Sequence, residues 1–149
     1  MTLSRLHPSL AQTVEAMADD TVDIAQARQS ELNEVALWVA DMLVDSGQVD
    51  LTFICTHNSR RSHFAQVWAQ VGAEVSGLHG LRTFSGGTEA TACNPRTVAA
   101  MRRAGFQVAV QDTVQGASNP TYNVSVGKDV AGMACFSKTY ADEANPQQG

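Results

Sequence analysis

Leu51-Thr-Phe-Ile-Cys55-Thr-His-Asn-Ser-Arg-Arg-Ser62 divides into two halves of opposite character. Leu51 to Cys55 is a run of apolar and β-branched residues without alternation, as expected of a strand buried on both faces of a parallel sheet. Thr56 to Ser62 is polar throughout, and after it Phe64, Ala65, Val67, Trp68 and Val71 fall at helical spacing, with a stop predicted near Gly72. Strand, polar loop and helix in that order make half of a βαβ unit.

Working outward toward the C-terminus, Leu81 to Ser85 is a second extended piece running into Gly86-Gly87-Thr88. Asn94-Pro95 has the form of an N-cap followed by proline at the first helical position, opening a helix that reaches Gly105. The order β, α, β, α predicts a parallel sheet with right-handed crossovers. Beyond Phe106 the runs Gln107 to Val114, Tyr122 to Val126 and Met133 to Ser137 are short and alternating, which predicts antiparallel strands or a hairpin. The tail from Ala141 to Gly149 is polar, with nothing to pack. Toward the N-terminus, helices are predicted from Pro8 to Ala18 and from about Thr21 to Ser46, with Gly47 as the stop. In the second helix Leu32, Val35, Ala36, Val39 and Leu43 form one apolar stripe. With Trp38 and Met42 beside it, the stripe reads as packing surface. The expected organisation is an N-terminal helical arm over residues 1–48 and an α/β domain over residues 49–149.

The chain has 149 residues, a formal net charge of -5, 44% hydrophobic and 17% charged residues, which fits an ordinary globular domain and excludes a disordered or collagen-like one. With only two lysines, Lys128 and Lys138, it has no basic face for a nucleic-acid backbone, so an anion site has to be local. Its three cysteines, Cys55, Cys93 and Cys135, are odd in number and lie far apart, which suggests neither a disulfide framework nor a zinc knuckle. No apolar run approaches the roughly 18 residues of a membrane span, and no secretory h-region opens the chain. A cytoplasmic protein is expected, with no membrane or nucleic-acid partner, no metal and no cofactor.

Cys55 is placed where a thiol is easily activated. Between a strand and a helix it meets the positive end of the helix macrodipole and backbone N–H groups that have no intrahelical partner. That geometry favours the thiolate and cradles a tetrahedral oxyanion above the sulfur. Arg61, six residues on, can clamp two oxyanion oxygens with its planar fork, and Ser62 can donate a hydrogen bond to the sulfur. Together they are equipment for nucleophilic phosphoryl transfer.

The segment from Phe53 to Ser62 resembles the phosphate loop of low-molecular-weight protein tyrosine phosphatases and of their relatives, the thioredoxin-coupled arsenate reductases. Asn58 carries the distinction, since dual-specificity phosphatases have His before the Cys and Gly three residues after it, where this chain has Ile54 and Asn58. The resemblance implies a left-handed backbone at Asn58 with its side chain bracing the loop, a conformation that asparagine tolerates. Ser85-Gly86-Gly87-Thr88-Glu89 with Asn94-Pro95 is similar to the second strand and following loop of the reductase branch, which implies a supporting role for Ser85. It further implies a three-layer α/β fold with a parallel sheet, Cys55, Arg61 and Ser62 in catalysis, and Thr56, His57, Asn58, Ser59, Arg60 and Arg61 around the oxyanion. The substrate would be a phosphate- or arsenate-type oxyanion, and a thiol reductant protein a possible partner.

Three departures stand out. His57 replaces the usual glycine two residues after the nucleophile and either contacts substrate or caps the loop, the second being the commoner role of a lone histidine. Arg60 replaces a second loop cysteine, so an in-loop disulfide is impossible, and it reads as a solvated charge that widens the positive field. Neither the Asp-Pro acid loop nor the paired-cysteine segment of the family is present. Asp112, Asp129 and Asp142 are the aspartates after the loop, and none precedes proline. By the resemblance Gly149 falls where a third parallel strand would begin, so the chain is expected to be the front of a longer protein, with the antiparallel segment as an insertion. Cys93 and Cys135 read as small buried hydrophobes in place of resolving thiols. His63 is a candidate neighbour of the loop, and His7 and His79 are placed in surface segments. The expected function is a cysteine-dependent phosphatase or arsenate reductase-like enzyme, the alternative a catalytically impaired oxyanion-binding pseudo-phosphatase.

Overall fold

The computed structural model describes residues 2–18, 24–111 and 116–147. In chain order the elements are α1 (Pro8–Ala18), α2 (Gln26–Ser46), β1 (Val49–Cys55), α3 (Arg61–Ser76), β2 (Leu81–Gly87), α4 (Pro95–Arg103), β3 (Gln107–Val110), β4 (Tyr122–Ser125) and β5 (Met133–Cys135). The molecule is mixed α/β. β1 and β2 pair in parallel from Val49 against Leu81 to Cys55 against Gly87, and β3, β4 and β5 form a separate antiparallel sheet in that order.

Local chemistry accounts for the helix ends. The Asn94 side chain accepts from the Arg96 N–H at 2.9 Å with Pro95 at the first helical position, as its sequence requires. α3 runs past Gly72 and ends only where Gly77 takes the left-handed conformation. Packing of Val71 and Ala73 outweighs the roughly 1 kcal/mol helix penalty of Gly72.

The main core joins Leu6 and Leu10 to Val67 and Val71 of α3, Met101 and Phe106, Val124 and Val126, and Met133 and Cys135. Trp68 meets Phe106 edge-on at 5.2 Å between ring centres. Leu6 and Leu10 thus join the N-terminal segment to this core. A smaller cluster of Val39, Val49, Ala73 and Leu81 holds α2 against the start of the parallel ladder.

Three expectations are corrected here. The parallel sheet is two-stranded, and α2 and α3 cover the face that carries Val49, Leu51 and Leu81 while Ile54 and Arg82 on the opposite face are exposed. On that second face Tyr140 lies against the buried Gly86. Among the described residues no strand pairs with the outer edge of β1, so β1 is half-buried instead of enclosed, with Ile54 55% exposed. What returns to the ladder is Thr139, bridged in parallel to Gly87. The tail is also packed, since Asn145 is buried with its amide donating to the Thr139 and Tyr140 carbonyls.

No helix among the described residues is long and apolar enough to cross a membrane.

Candidate functional site

The residues from Cys55 to Ser62 connect the end of β1 to the start of α3, so the helix N-terminus points at the sulfur. Arg60 occupies the N-cap without a side-chain cap bond, which leaves the first-turn N–H groups to whatever lies in front of them. Partial burial pushes the Cys55 thiol up. The Ser62 hydroxyl and the N–H groups of Ser62, Ser59 and Asn58 outweigh that and bring it down to about 7 from an ordinary 9.0. Arg61 is not among the groups that lower it, contrary to the role its charge suggests.

Donor directions around the sulfur follow from one fixed point. Lys138 N–H can only donate, and it reaches Asn58 Oδ1 at 3.1 Å, so Nδ2 is the atom that faces Ser62 Oγ at 2.9 Å. Ser62 accepts from Asn58 and has its own hydrogen left for Cys55 Sγ, 3.1 Å away. Asn58 is fully buried and has φ 44°, the left-handed conformation that turns the loop under the sulfur.

The loop carbonyls are tied from three directions. Thr56 O accepts from Thr88 Oγ1 and the Glu89 N–H, His57 O from Ser137 Oγ at 2.7 Å and Thr91 Oγ1 at 3.4 Å, and Ser59 O from the Asn94 N–H and Thr97 Oγ1. Ser59 Oγ donates to the Ala92 carbonyl at 2.6 Å. Gly87 permits this closeness, because a Cβ there would sit 2.6 Å from the Thr56 and Glu89 oxygens.

Above the sulfur lies a cleft of about 440 Å³ lined by Cys55, His57, Ser59, Arg60, Arg61 and Thr91. Both guanidiniums are exposed, and neither joins an ion pair among the described residues. An anion entering the cleft meets two uncompensated positive charges and a ring of N–H donors. His57 Nε2 lies 3.0 Å from Glu89 Oε1 at the rim.

The structure brings together Cys55, His57, Ser59, Arg60 and Arg61, with Asn58 and Ser62 directly behind the sulfur. Thr56 contributes its backbone and does not line the cleft. Ser85 is fully buried, yet its hydroxyl has no hydrogen-bond partner, so it gives the loop no bond. Ser137, Lys138, Thr88, Thr91 and Thr97 do that work, and no spacing in the sequence points to them. His63 is buried, donates from Nε2 to the Phe136 carbonyl at 3.2 Å, and is pushed down to about 4 by burial. His7, expected at the surface, is buried against Ser125 Oγ at 2.9 Å. His79 is exposed, beside Arg5 and Glu74.

Cys93 and Cys135 are buried, and burial pushes their thiols up to about 11 and about 12. Of the aspartates after the loop, Asp112 lies outside the described residues, Asp129 lines a second cavity beyond β2, and Asp142 accepts from the Ala144 N–H in the C-terminal turn. Neither Asp129 nor Asp142 lines the Cys55 cleft. In that second cavity Arg5 and His79 pair with Glu74, while Asp129 and Lys138 also line it without an ion pair among the described residues. Among the described residues no three His, Cys, Asp or Glu side chains converge as a metal-ligand set.

Compared with known proteins, the chain matches no family model, no curated protein and no solved structure.

Proposed function

We propose that this protein is a cysteine-dependent phosphatase of the low-molecular-weight type, acting on phosphate monoesters through Cys55. The observation that carries the reading is the sulfur itself, held by the Ser62 hydroxyl and three backbone N–H groups so that its thiol comes down to about 7 beneath a cleft with two arginines that join no ion pair among the described residues. In the first step Cys55 Sγ attacks phosphorus, the P–O bond to the leaving group breaks, and that oxygen departs with the electron pair. Water then attacks phosphorus, the S–P bond breaks, and the thiolate returns with release of inorganic phosphate. Arg61 and the loop N–H groups hold the equatorial oxygens throughout, and Ser62 stabilises the sulfur as it leaves.

Hydrolysis is preferred to arsenate reduction because a reductase needs a second thiol to resolve the Cys55 adduct. Cys93 and Cys135 are buried and held as thiols by that burial. The oxyanion-binding pseudo-phosphatase is favoured in its turn by the lack of an aspartate among the described residues lining the cleft.

Alkylation by iodoacetamide against pH, combined with turnover of an aryl phosphate, tests the proposal. The Cys55 rate should fall with an inflection near pH 7 as the thiolate is protonated, well below those of Cys93 and Cys135. Cys55→Ser should abolish turnover, and Arg61→Lys should cut it about 10²-fold by removing the bidentate fork. An inflection for Cys55 no lower than for the other two thiols would sink the nucleophile assignment, while binding of vanadate without turnover would establish the pseudo-phosphatase.

A further inference from the structure

We infer that His57, held by Glu89, is the acid that protonates the departing oxygen, an inference that rests on the phosphatase reading of Cys55. An alkoxide or phenoxide leaves phosphorus readily only if it takes up a proton as the bond breaks. The cleft offers few donors. Of the six described side chains that line it, Cys55 is the nucleophile, the arginine guanidiniums serve to hold the anion, and the hydroxyls of Ser59 and Thr91 are too weakly acidic. The imidazole of His57 is the remaining group, and an imidazole is the side chain that most often serves as proton donor and acceptor in catalysis.

Its placement is constrained from both sides. The His57 carbonyl is fixed by Ser137 and Thr91, so the backbone that carries the ring is held. The ring is held by Glu89, 3.0 Å from Nε2, and Glu89 is in turn tied to the loop by its N–H on the Thr56 carbonyl at 2.9 Å. A carboxylate in that position fixes the orientation of the imidazole ring. Both side chains are more than half exposed, so a substrate's leaving group can reach them. Glu89 comes from the β2–α4 connection, and the charged groups that share the cleft with the ring are Arg60 from its own loop, Arg61 at the start of α3 and the Cys55 sulfur.

The protons balance. In the first step His57 gives its proton to the leaving oxygen and becomes neutral. In the second, neutral His57 takes a proton from the attacking water as the S–P bond breaks, and the site returns to its starting state. His57 is then a catalytic residue, and Glu89 a positioning residue that acts through it.

Leaving-group dependence separates this from a His57–Glu89 pair that merely ties the loop. Rates are measured for the wild type, His57→Ala, His57→Gln and Glu89→Gln on 2,4-dinitrophenyl phosphate, whose leaving group needs no proton, and on phenyl phosphate, whose leaving group does. Both His57 variants should lose about 10² to 10⁴-fold on phenyl phosphate and less than about fivefold on the dinitrophenyl ester. Glu89→Gln should show the same selectivity to a smaller degree, and added imidazole should restore His57→Ala on phenyl phosphate. Equal losses on both substrates, or no rescue, overturn the inference while leaving Cys55 catalysis standing. Wild-type protein that fails to release dinitrophenolate above the Cys55→Ser background takes down the phosphatase reading and this inference together.

Discussion

At one end of β1 the chain enters a loop whose polar groups are tied down; at the other it leaves α2, whose apolar face is mostly bare. From Cys55 to Ser62 the backbone is held by side chains from β2's exit, from α4 and from Ser137, and Asn58 is wholly enclosed. In α2 Val39 is buried, while Leu37 is 66% and Val44 85% exposed and Leu32, Val35 and Trp38 are also open. The two regions differ in what holds them. The loop's partners come from several distant elements and form a closed set of hydrogen bonds, whereas α2 has a period that makes it a helix and one small cluster that anchors it. Chemistry is placed on the first kind of structure, because a nucleophile needs fixed donors around it.

The contrast is broken most directly at Asn58. In Asn58→Ala the Lys138 N–H and the Ser62 hydroxyl lose a buried partner, at about 1 to 3 kcal/mol for an unmade bond, and a side chain other than Asn or Gly is forced into a left-handed conformation at a further 1 to 2 kcal/mol. A loss of roughly 3 to 5 kcal/mol in urea unfolding is expected. Asn58→Gly should recover about 1 kcal/mol of it, since glycine tolerates the backbone but supplies no bonds. In both variants the alkylation inflection of Cys55 should move upward, because Ser62 is no longer directed at the sulfur. A loss below about 1 kcal/mol would mean that the loop does not depend on this brace.

How far the sequence carries the structure follows the same division. The strand, loop and helix around Cys55, the cap at Asn94-Pro95, and the antiparallel character beyond Phe106 are local, written in neighbouring residues, and are found where expected. The bracing of the loop by Ser137 and Lys138 joins residues about 80 positions apart, and nothing in either segment's spacing announces it. Ser85 illustrates the reverse, a residue marked by resemblance whose hydroxyl makes no bond. The exposure of Ile54 on β1 was also invisible, since an unalternating apolar strand is the same in sequence whether one face or both are covered.

A second test sharpens the contrast through pH. Burial holds the His63 imidazole at about 4 against an ordinary 6.5. Between those values the unfolded chain binds a proton that the native state does not, so stability is full above pH 6.5 and falls as pH drops through the window. Complete loss would amount to at most about 3 kcal/mol. Unfolding free energies at pH 7 and pH 4.5 should differ by about 2 to 3 kcal/mol more in the wild type than in His63→Gln, whose amide can still donate to the Phe136 carbonyl. Identical pH slopes would remove His63 from the tightly held half of the molecule.

The smallest effects are expected on α2. Val39→Ala removes two methyl groups from a cluster with Val49, Ala73 and Leu81, and should cost about 1 to 2 kcal/mol by lost transfer energy and the small void left behind. Leu37→Glu and Val44→Lys replace side chains that already face water, and each should change stability by less than about 0.5 kcal/mol. The comparison between the two substitution types is what matters, since both sit on one helix with one propensity background. If Leu37→Glu cost as much as Val39→Ala, the outer face of α2 would be covered in solution by something that gives it packing energy. A dependence of that cost on protein concentration would then identify the cover as a second copy of the chain, because only association makes unfolding stability concentration-dependent. Equal and negligible effects at every concentration would leave α2 as a helix held by a single buried residue, set beside a loop in which nearly every carbonyl has its partner.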